Sequence, residues 1–332
     1  MIDLLPDDEQ QSIVDAVASF LMREMPVGRL RPKPGSRDAP ALPDPWPQFA
    51  EMGWLTLGIP ESLAGAGYSV AELMLVFREF GRYLLSPSLV AATVAGRVAA
   101  STNSAMAIKL AEGTLRTGLA VLTSTSADDQ MFLLLDPDCD IFVVVGDAIS
   151  IYEGKAFENI ERIKCLDSSI ELARACLVGD SLSHSEDSGL ADETRILVCA
   201  MLVGNAEATR DLAVEYAKVR EQFGRPIGGF QAIKHKCADM AVRAEAAMCQ
   251  TTLAALTLKS GAADGRFQVN AAIQISAAMA IANAEEAIQI HGGTGYTLEC
   301  DVHLFIKRAH VLDCLLGPAR QRRANVLDLL VN

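Results

Sequence analysis

Tyr216-Ala217-Lys218-Val219-Arg220-Glu221-Gln222-Phe223-Gly224-Arg225-Pro226-Ile227-Gly228-Gly229-Phe230-Gln231 divides the last part of the chain. Before it, Leu190 to Val219 carries apolar side chains at helical spacing. After it, Phe230 to Leu258 does the same, with Ile233, Cys237, Met240, Ala244 and Met248 three or four positions apart. Between them Gly224, Pro226, Gly228 and Gly229 stop one helix and start the next. A turn at Gly261–Gly265 leads into a third helix, from about Gln268 to Ile290. A second glycine-rich stop ends it: Ala287-Ile288-Gln289-Ile290-His291-Gly292-Gly293-Thr294-Gly295-Tyr296-Thr297-Leu298-Glu299. Helices from Cys300 to Leu315 and from Arg320 onward complete a C-terminal bundle.

Working back from this bundle, Ser181–Ser188 reads as a polar linker. Thr117 to Asp180 holds short β-type runs: Leu119–Leu122, Phe132–Leu135, Ile141–Val145, Ile149–Tyr152 and Leu172–Val178. These form a small, mainly antiparallel sheet. The first third is helical again. Asp7, Asp8 and Glu9 open a helix whose stripe is Ile13, Val14, Val17, Phe20 and Leu21. A Pro-rich basic loop follows from Arg29 to Pro47, then a helix through Leu73, Leu75, Val76 and Phe80, and another from Ser86 to Ala100. The expected fold is mainly α with a small β domain: an N-terminal helical domain (1–116), a reduced middle β-sheet domain (117–180) and a C-terminal helical bundle (186–332).

Composition narrows the function. Among 332 residues, 42 acids against 29 Lys and Arg give a net charge of −13, which disfavours binding to nucleic acid or an anionic membrane surface. No apolar run reaches the roughly 20 residues of a membrane span, and the acidic start MIDLLPDDEQ lacks the basic region of a signal peptide. The eight cysteines form no CxxC pair, and several sit at apolar positions of helical patterns, as buried free thiols do; a cytoplasmic location is expected. The five histidines show no metal-ligand spacing, and no metal is expected.

The two glycine-bearing stretches together resemble the acyl-CoA dehydrogenase family. So do Met52-Gly53-Trp54-Leu55-Thr56-Leu57-Gly58-Ile59-Pro60-Glu61 and the helix–sheet–helix order. The resemblance implies flavin adenine dinucleotide (FAD), whose ADP half is held by Arg220, Gln222, Phe223, Gln231, Gln289, Gly292 and Gly293 while its flavin ring lies mostly on a neighbouring subunit. The chemistry suits these residue types. A diphosphate needs a cation and amide donors, and glycines let backbone approach it without a Cβ clash. His291, against the glycine turn, bonds either backbone or cofactor. Arg320, Arg322 and Arg323 read as a solvated helix face.

The family's reaction, implied by the resemblance, needs a carboxylate to take the α-proton of an acyl-CoA thioester, and an electron-transfer acceptor afterwards. The usual base position falls on Leu316, followed by Gly317 and Pro318. The minority position falls on Thr194, followed by Arg195. Neither side chain abstracts a proton. Glu193 is adjacent, but one residue on a helix is a rotation of about 100°; Asp192 and Asp313 are weaker candidates. The catalytic base is therefore unassigned.

The middle domain departs too: of the family's Leu-Thr-Glu-Pro run, Leu122-Thr123-Ser124-Thr125-Ser126-Ala127-Asp128-Asp129-Gln130 keeps only Leu-Thr. Reduced chains of this kind are similar to the base-lacking subunit of heteromeric family members, including steroid-degrading ones. Three readings stay open. One is a subunit, in a homo- or hetero-oligomer, that lends the ADP-binding surface in lipid or steroid catabolism. Another is a self-sufficient dehydrogenase with a displaced base such as Glu193. The third is a non-catalytic scaffold. The acyl group is not legible.

Overall fold

The computed structural model of the chain describes residues 4–32, 44–125 and 130–331. They divide into two compact units. One comprises Met1–Pro40, Val70–Leu85 and Arg195–Asn332, the other Ala41–Ser69 and Ser86–Thr194.

The first unit begins with α1 (Asp8–Glu24), where the Asp7 side chain accepts the Gln10 amide and Gln10 reaches back in a capping box. The next two helices in sequence fall in different units: α2 (Trp46–Glu51) in the second and α3 (Val70–Arg82) in the first. The bundle of the first unit is built mainly from α6 (Ser188–Val219), α7 (Gln231–Lys259), α8 (Gly265–His291), α9 (Val302–Leu315) and α10 (Ala319–Val331). The division at Thr194 and Arg195 falls inside α6. Where α3 crosses α6, both backbones are bare. A Cβ on Gly81 would stand 2.1 Å from the Met201 carbonyl oxygen, and one on Gly204 would stand 1.9 Å from that of Arg78. Glycine is therefore obligatory on both sides of the crossing. Beside it Glu207 accepts from Arg78 (3.0 Å) and Arg82 (3.1 Å), tying the helices with charge.

Two buried asparagines bind the bundle from within. Asn205 donates to the Phe305 carbonyl at 2.9 Å, and Asn283 donates to those of Ala206 (3.1 Å) and Met240 (2.9 Å). Each amide thus joins helices that the apolar pattern alone leaves free to slide.

The second unit holds α4 (Ser88–Thr102), α5 (Ser104–Ala111) and a seven-stranded sheet. Its strands are β1 (Thr117–Thr125), β2 (Gln130–Leu135), β3 (Ile141–Val145), β4 (Ile149–Glu153), β5 (Phe157–Ile163), β6 (Leu172–Leu177) and β7 (Ser183–Ser185). The order is β5-β6-β2-β1-β3-β4-β7, antiparallel except for β1 beside β3. Only Gly154–Ala156 links β4 to β5, which lies at the opposite edge. So short a link requires a curled sheet. The Phe157 ring of β5 accordingly meets Phe132 (5.7 Å), Phe142 (5.3 Å) and Tyr152 (6.0 Å) of strands β2, β3 and β4.

The helix–sheet–helix order expected from sequence is the order found. Four differences have local causes. β5 reads Phe-Glu-Asn-Ile-Glu-Arg-Ile, and its charges are those of an exposed edge strand. β7 lies in the stretch expected to be a linker, a polar strand paired through Ser150 and His184. Helix α2 starts inside the expected 29–47 loop, with Pro47 at its first turn; residues 33–43 of that loop lie outside the described residues. Arg322 is not on a solvated face: it is buried, donating to Asp313 at 2.6 Å and so fastening α10 to α9. All eight cysteines are free thiols; Cys199 is fully buried and Cys314 exposed. No helix among the described residues is long and apolar enough to cross a membrane.

Candidate functional site

Helix α6 ends at Val219, and the chain then makes a two-residue hairpin. Glu221–Gln222 (β8) pairs with Arg225–Pro226 (β9) around Phe223 and Gly224, both left-handed at φ 54° and 76°. This is the backbone twist that short hairpins favour, though they favour Asn or Gly at the first turn position. A bulky side chain there is strained. Phe223 is also 92% exposed, with one edge-on contact to Phe230 at 6.1 Å. The Arg225 guanidinium lies over the Phe230 ring at 4.2 Å. Ile227 N–H donates to the Arg220 carbonyl at 2.8 Å, closing the hairpin at its base. The Arg220 side chain is exposed and has no ion pair or hydrogen bond among the described residues. Gln222 Nε2 donates to the Glu221 carbonyl (2.8 Å), and Gln231, exposed, opens α7.

The second stretch ends α8. Gly292 adopts φ 60°, ψ −138°, a conformation reserved to glycine, and its N–H caps the Gln289 and Ile288 carbonyls. Gly295 is fixed by packing, because a Cβ there would stand 2.9 Å from the Ile288 carbonyl. Gly293 answers to neither cause: its φ is not positive, and a Cβ would meet nothing within 4 Å. Gln289 projects beside it, exposed.

The two stretches are joined. His291 is buried, its Nδ1 2.8 Å from the Ala287 carbonyl, and it stacks on Tyr216 with ring centroids 4.1 Å apart. Burial lowers its pKa. A common apolar floor of Ala213, Met240, Ala287 and Ile288, with Ile227 and Ile233 against it, underlies both. One end of the bundle therefore presents a cation, exposed amides, an aromatic ring and bare backbone.

The positions expected to carry a base are otherwise engaged. Leu316 is buried at the C-cap of α9, with left-handed Gly317 (φ 81°) and Pro318 after it, an ordinary helix stop. Thr194 is buried and donates to its own helix, to the Leu190 carbonyl at 2.8 Å. Glu193 forms an ion pair with Arg97, which also donates to the Tyr68 carbonyl at 2.5 Å. To accept a proton Glu193 must give up that pair. Asp192 is buried, and Asp313 holds Arg322. Sequence reasoning missed Arg97 as the restraint on Glu193, although it is the one charged residue in the apolar run of α4. In the sheet, Thr123 uses its hydroxyl to reach the Met131 carbonyl at 3.0 Å, next to a bulge at Leu122 and Ser124; residues 126–129 of that run lie outside the described residues.

The chain matches the model of the acyl-CoA dehydrogenase C-terminal domain over residues 188–328 and that of the N-terminal domain over residues 7–108. It is 34% identical over 330 residues to acyl-CoA dehydrogenase IpdE2 of Mycobacterium tuberculosis, covering 96% of each chain. It is also 34% identical over 323 residues to acyl-CoA dehydrogenase FadE34 of the same organism, covering 91% of this chain but 43% of that one. Among solved structures, the ChsE4–ChsE5 complex of M. tuberculosis superposes with a TM-score of 0.80 at 19% identity, over 100% of this chain and 99% of that one. The chain belongs to the acyl-CoA dehydrogenase family. It is an oxidoreductase of that type, and its cofactor is FAD. The bundle end fits such a group: Gly293 is bare where nothing in this chain needs it bare, and the Tyr216–His291 stack joins its turn to the hairpin that bears the exposed Arg220.

Proposed function

We propose that this chain is one subunit of a heteromeric acyl-CoA dehydrogenase, contributing the surface for the ADP half of FAD while a partner chain contributes the catalytic base. Bound flavin supplies the hydride acceptor for α,β-dehydrogenation of an acyl-CoA thioester. Arg220 neutralises diphosphate charge. Gln222, Gln231 and Gln289 offer amide donors. Gly292 and Gly293 admit backbone close to the phosphates, and Phe223 covers the cofactor's edge. The three consecutive regions, 1–116, 117–180 and 186–332, belong to the same reading.

One observation carries it. Among the described residues, Arg220, Gln231, Gln289 and Gly293 are exposed and do no work inside the chain, whereas the residues at both base positions, Leu316 and Thr194, are buried and unable to take a proton. A shared cofactor explains why the first set persists without the second. The match to FadE34 over less than half its length is consistent with this, since that relative has room for a second set of domains.

A flavin spectrum of the protein purified alone, and again with a co-expressed family partner, is the test. Colourless protein alone, with about one FAD per pair of chains in the complex, is expected. A yellow lone protein bleached by acyl-CoA overturns the proposal in favour of a self-sufficient enzyme using Glu193.

A further inference from the structure

In the second unit, between α5 and the rim of the sheet, lies a cavity of about 750 Å³, the size of a small-molecule site. It sits at the end of the sheet where β1 and β3 begin, Thr117 pairing there with Ile141. The bulge at Leu122 and Ser124 lies toward the other end of β1, about 20 Å along the strand. The cavity is therefore separate from the Leu122–Gln130 run. Its lining is largely apolar. Met106 and Ile141 are buried there, and Ile160 and Leu182 remain 48% and 45% exposed, apolar surface that an occupant would take out of water. One wall is closely packed: Gly154 N–H donates to the Asp140 carbonyl at 2.8 Å, and a Cβ on Gly154 would stand 2.9 Å from the Cys139 carbonyl oxygen. Burial pushes the Cys139 thiol up to about 12, so it stays neutral.

The charged groups of the lining are engaged, with one exception. Asp138 accepts from Arg162 with both oxygens at 2.7 Å, Asp140 accepts the Arg116 backbone N–H at 2.7 Å, and Glu153 pairs with Lys155. Lys109, one turn along α5 from Met106, has no partner for its ammonium among the described residues. Asn103 caps α5 through its Oδ1, which accepts the Met106 N–H at 3.1 Å, and its amide donors stay unused.

We infer that this cavity binds an amphipathic monocarboxylate, with its apolar body against Met106, Ile141, Ile160 and Leu182 and its carboxylate at Lys109, where Asn103 offers a second donor. One unengaged cation matches one negative charge. Three carboxylates on the same walls oppose a dianion such as a phosphate monoester. A wholly apolar occupant would dehydrate the ammonium and the amide without returning a bond. The free acid of an acyl thioester has the required chemistry. The inference does not depend on which chain carries the base.

Calorimetric titration of the full chain with dodecanoate, below its micellar concentration, tests this. Saturation at one molecule per chain is expected. Lys109→Gln is expected to weaken it about fivefold or more, and dodecanol to bind the wild type more weakly by a similar factor. The Lys109→Gln variant should then no longer distinguish acid from alcohol, which a merely structural lysine would not cause. Leu182→Asp, a change at an exposed position, is expected to abolish binding while the urea midpoint stays within error of wild type. Absence of saturable binding overturns the inference, as does dodecyl phosphate binding more tightly than dodecanoate. Dodecanoate binding that neither variant alters overturns it too and places the acid elsewhere on the chain. Flavin content of the co-expressed complex should be unchanged in both variants; a parallel fall would assign Lys109 to the flavin site instead.

Discussion

Two pairs of glycines in the same unit stand for opposite reasons. Gly81 and Gly204 lie where α3 crosses α6, and a Cβ on either would drive into backbone at 2.1 or 1.9 Å. Gly292 and Gly293 lie at the end of α8, where a Cβ on either would meet nothing. Gly292 still has a local reason, its φ of 60°. Gly293 has none. A glycine that the fold demands can be recognised by what it touches. A glycine that touches nothing and bends nothing is free to serve something the chain does not itself supply, which for Gly293 we propose is the cofactor. The contrast separates residues that hold the protein together from residues that make it useful.

The strongest challenge to this contrast is Gly204→Ala. With a backbone oxygen of Arg78 in the way, α3 and α6 must part, and a loss of about 3 kcal/mol is expected in urea unfolding. A loss below roughly 1 kcal/mol would show that the crossing is not close-packed. Next comes Gly293→Ala. Stability should stay within about 1 kcal/mol of wild type, and could rise, because alanine narrows the unfolded ensemble. Flavin retained by the co-expressed complex should fall sharply. If folding and flavin fall together, Gly293 belongs with Gly204 instead. Arg220→Gln sharpens the same point: no change in unfolding midpoint, and a flavin affinity weakened roughly 10- to 100-fold for the lost charge-assisted bonds.

The smallest expected effect concerns pH. His303, buried at the start of α9, has its pKa lowered first by burial and then by Lys307, and burial also lowers His291. Unfolded histidines titrate near pH 6.5. As pH falls through that value toward the lowered folded pKa values, the unfolded state binds more protons and stability drops. Urea midpoints at pH 7 and pH 5.5 should differ in that direction. His303→Leu should flatten the difference, and an unchanged slope would place the acid sensitivity elsewhere.

The bundle helices were legible because each buries one stripe, and a stripe repeats every three or four residues in the sequence. Five strands were legible for the analogous reason. β5 and β7 were not: an edge strand with Glu158, Glu161 and Arg162 on it, or a Ser-His-Ser strand, hides its pairing from any apolar pattern. The proposed cofactor surface rests on local chemistry, a cation and glycines within two short stretches, and so could be put forward from sequence. The fate of Glu193 could not. Its restraint, Arg97, lies 96 positions earlier, and only folding brings them together. Arg322 misled for a similar reason, since three arginines in four residues resemble a solvated face until Asp313 claims one of them.

The stack of Tyr216 on His291 has a consequence for descent. It couples the R-x-x-F-G hairpin to the Gly-Gly turn through one pair of rings, so neither motif can drift in position without moving the other. Lineages that stop sharing a cofactor should therefore lose the two motifs together, with the ring pair as the first casualty. A reduced chain found with only one of them would mark a branch caught in the act of retiring.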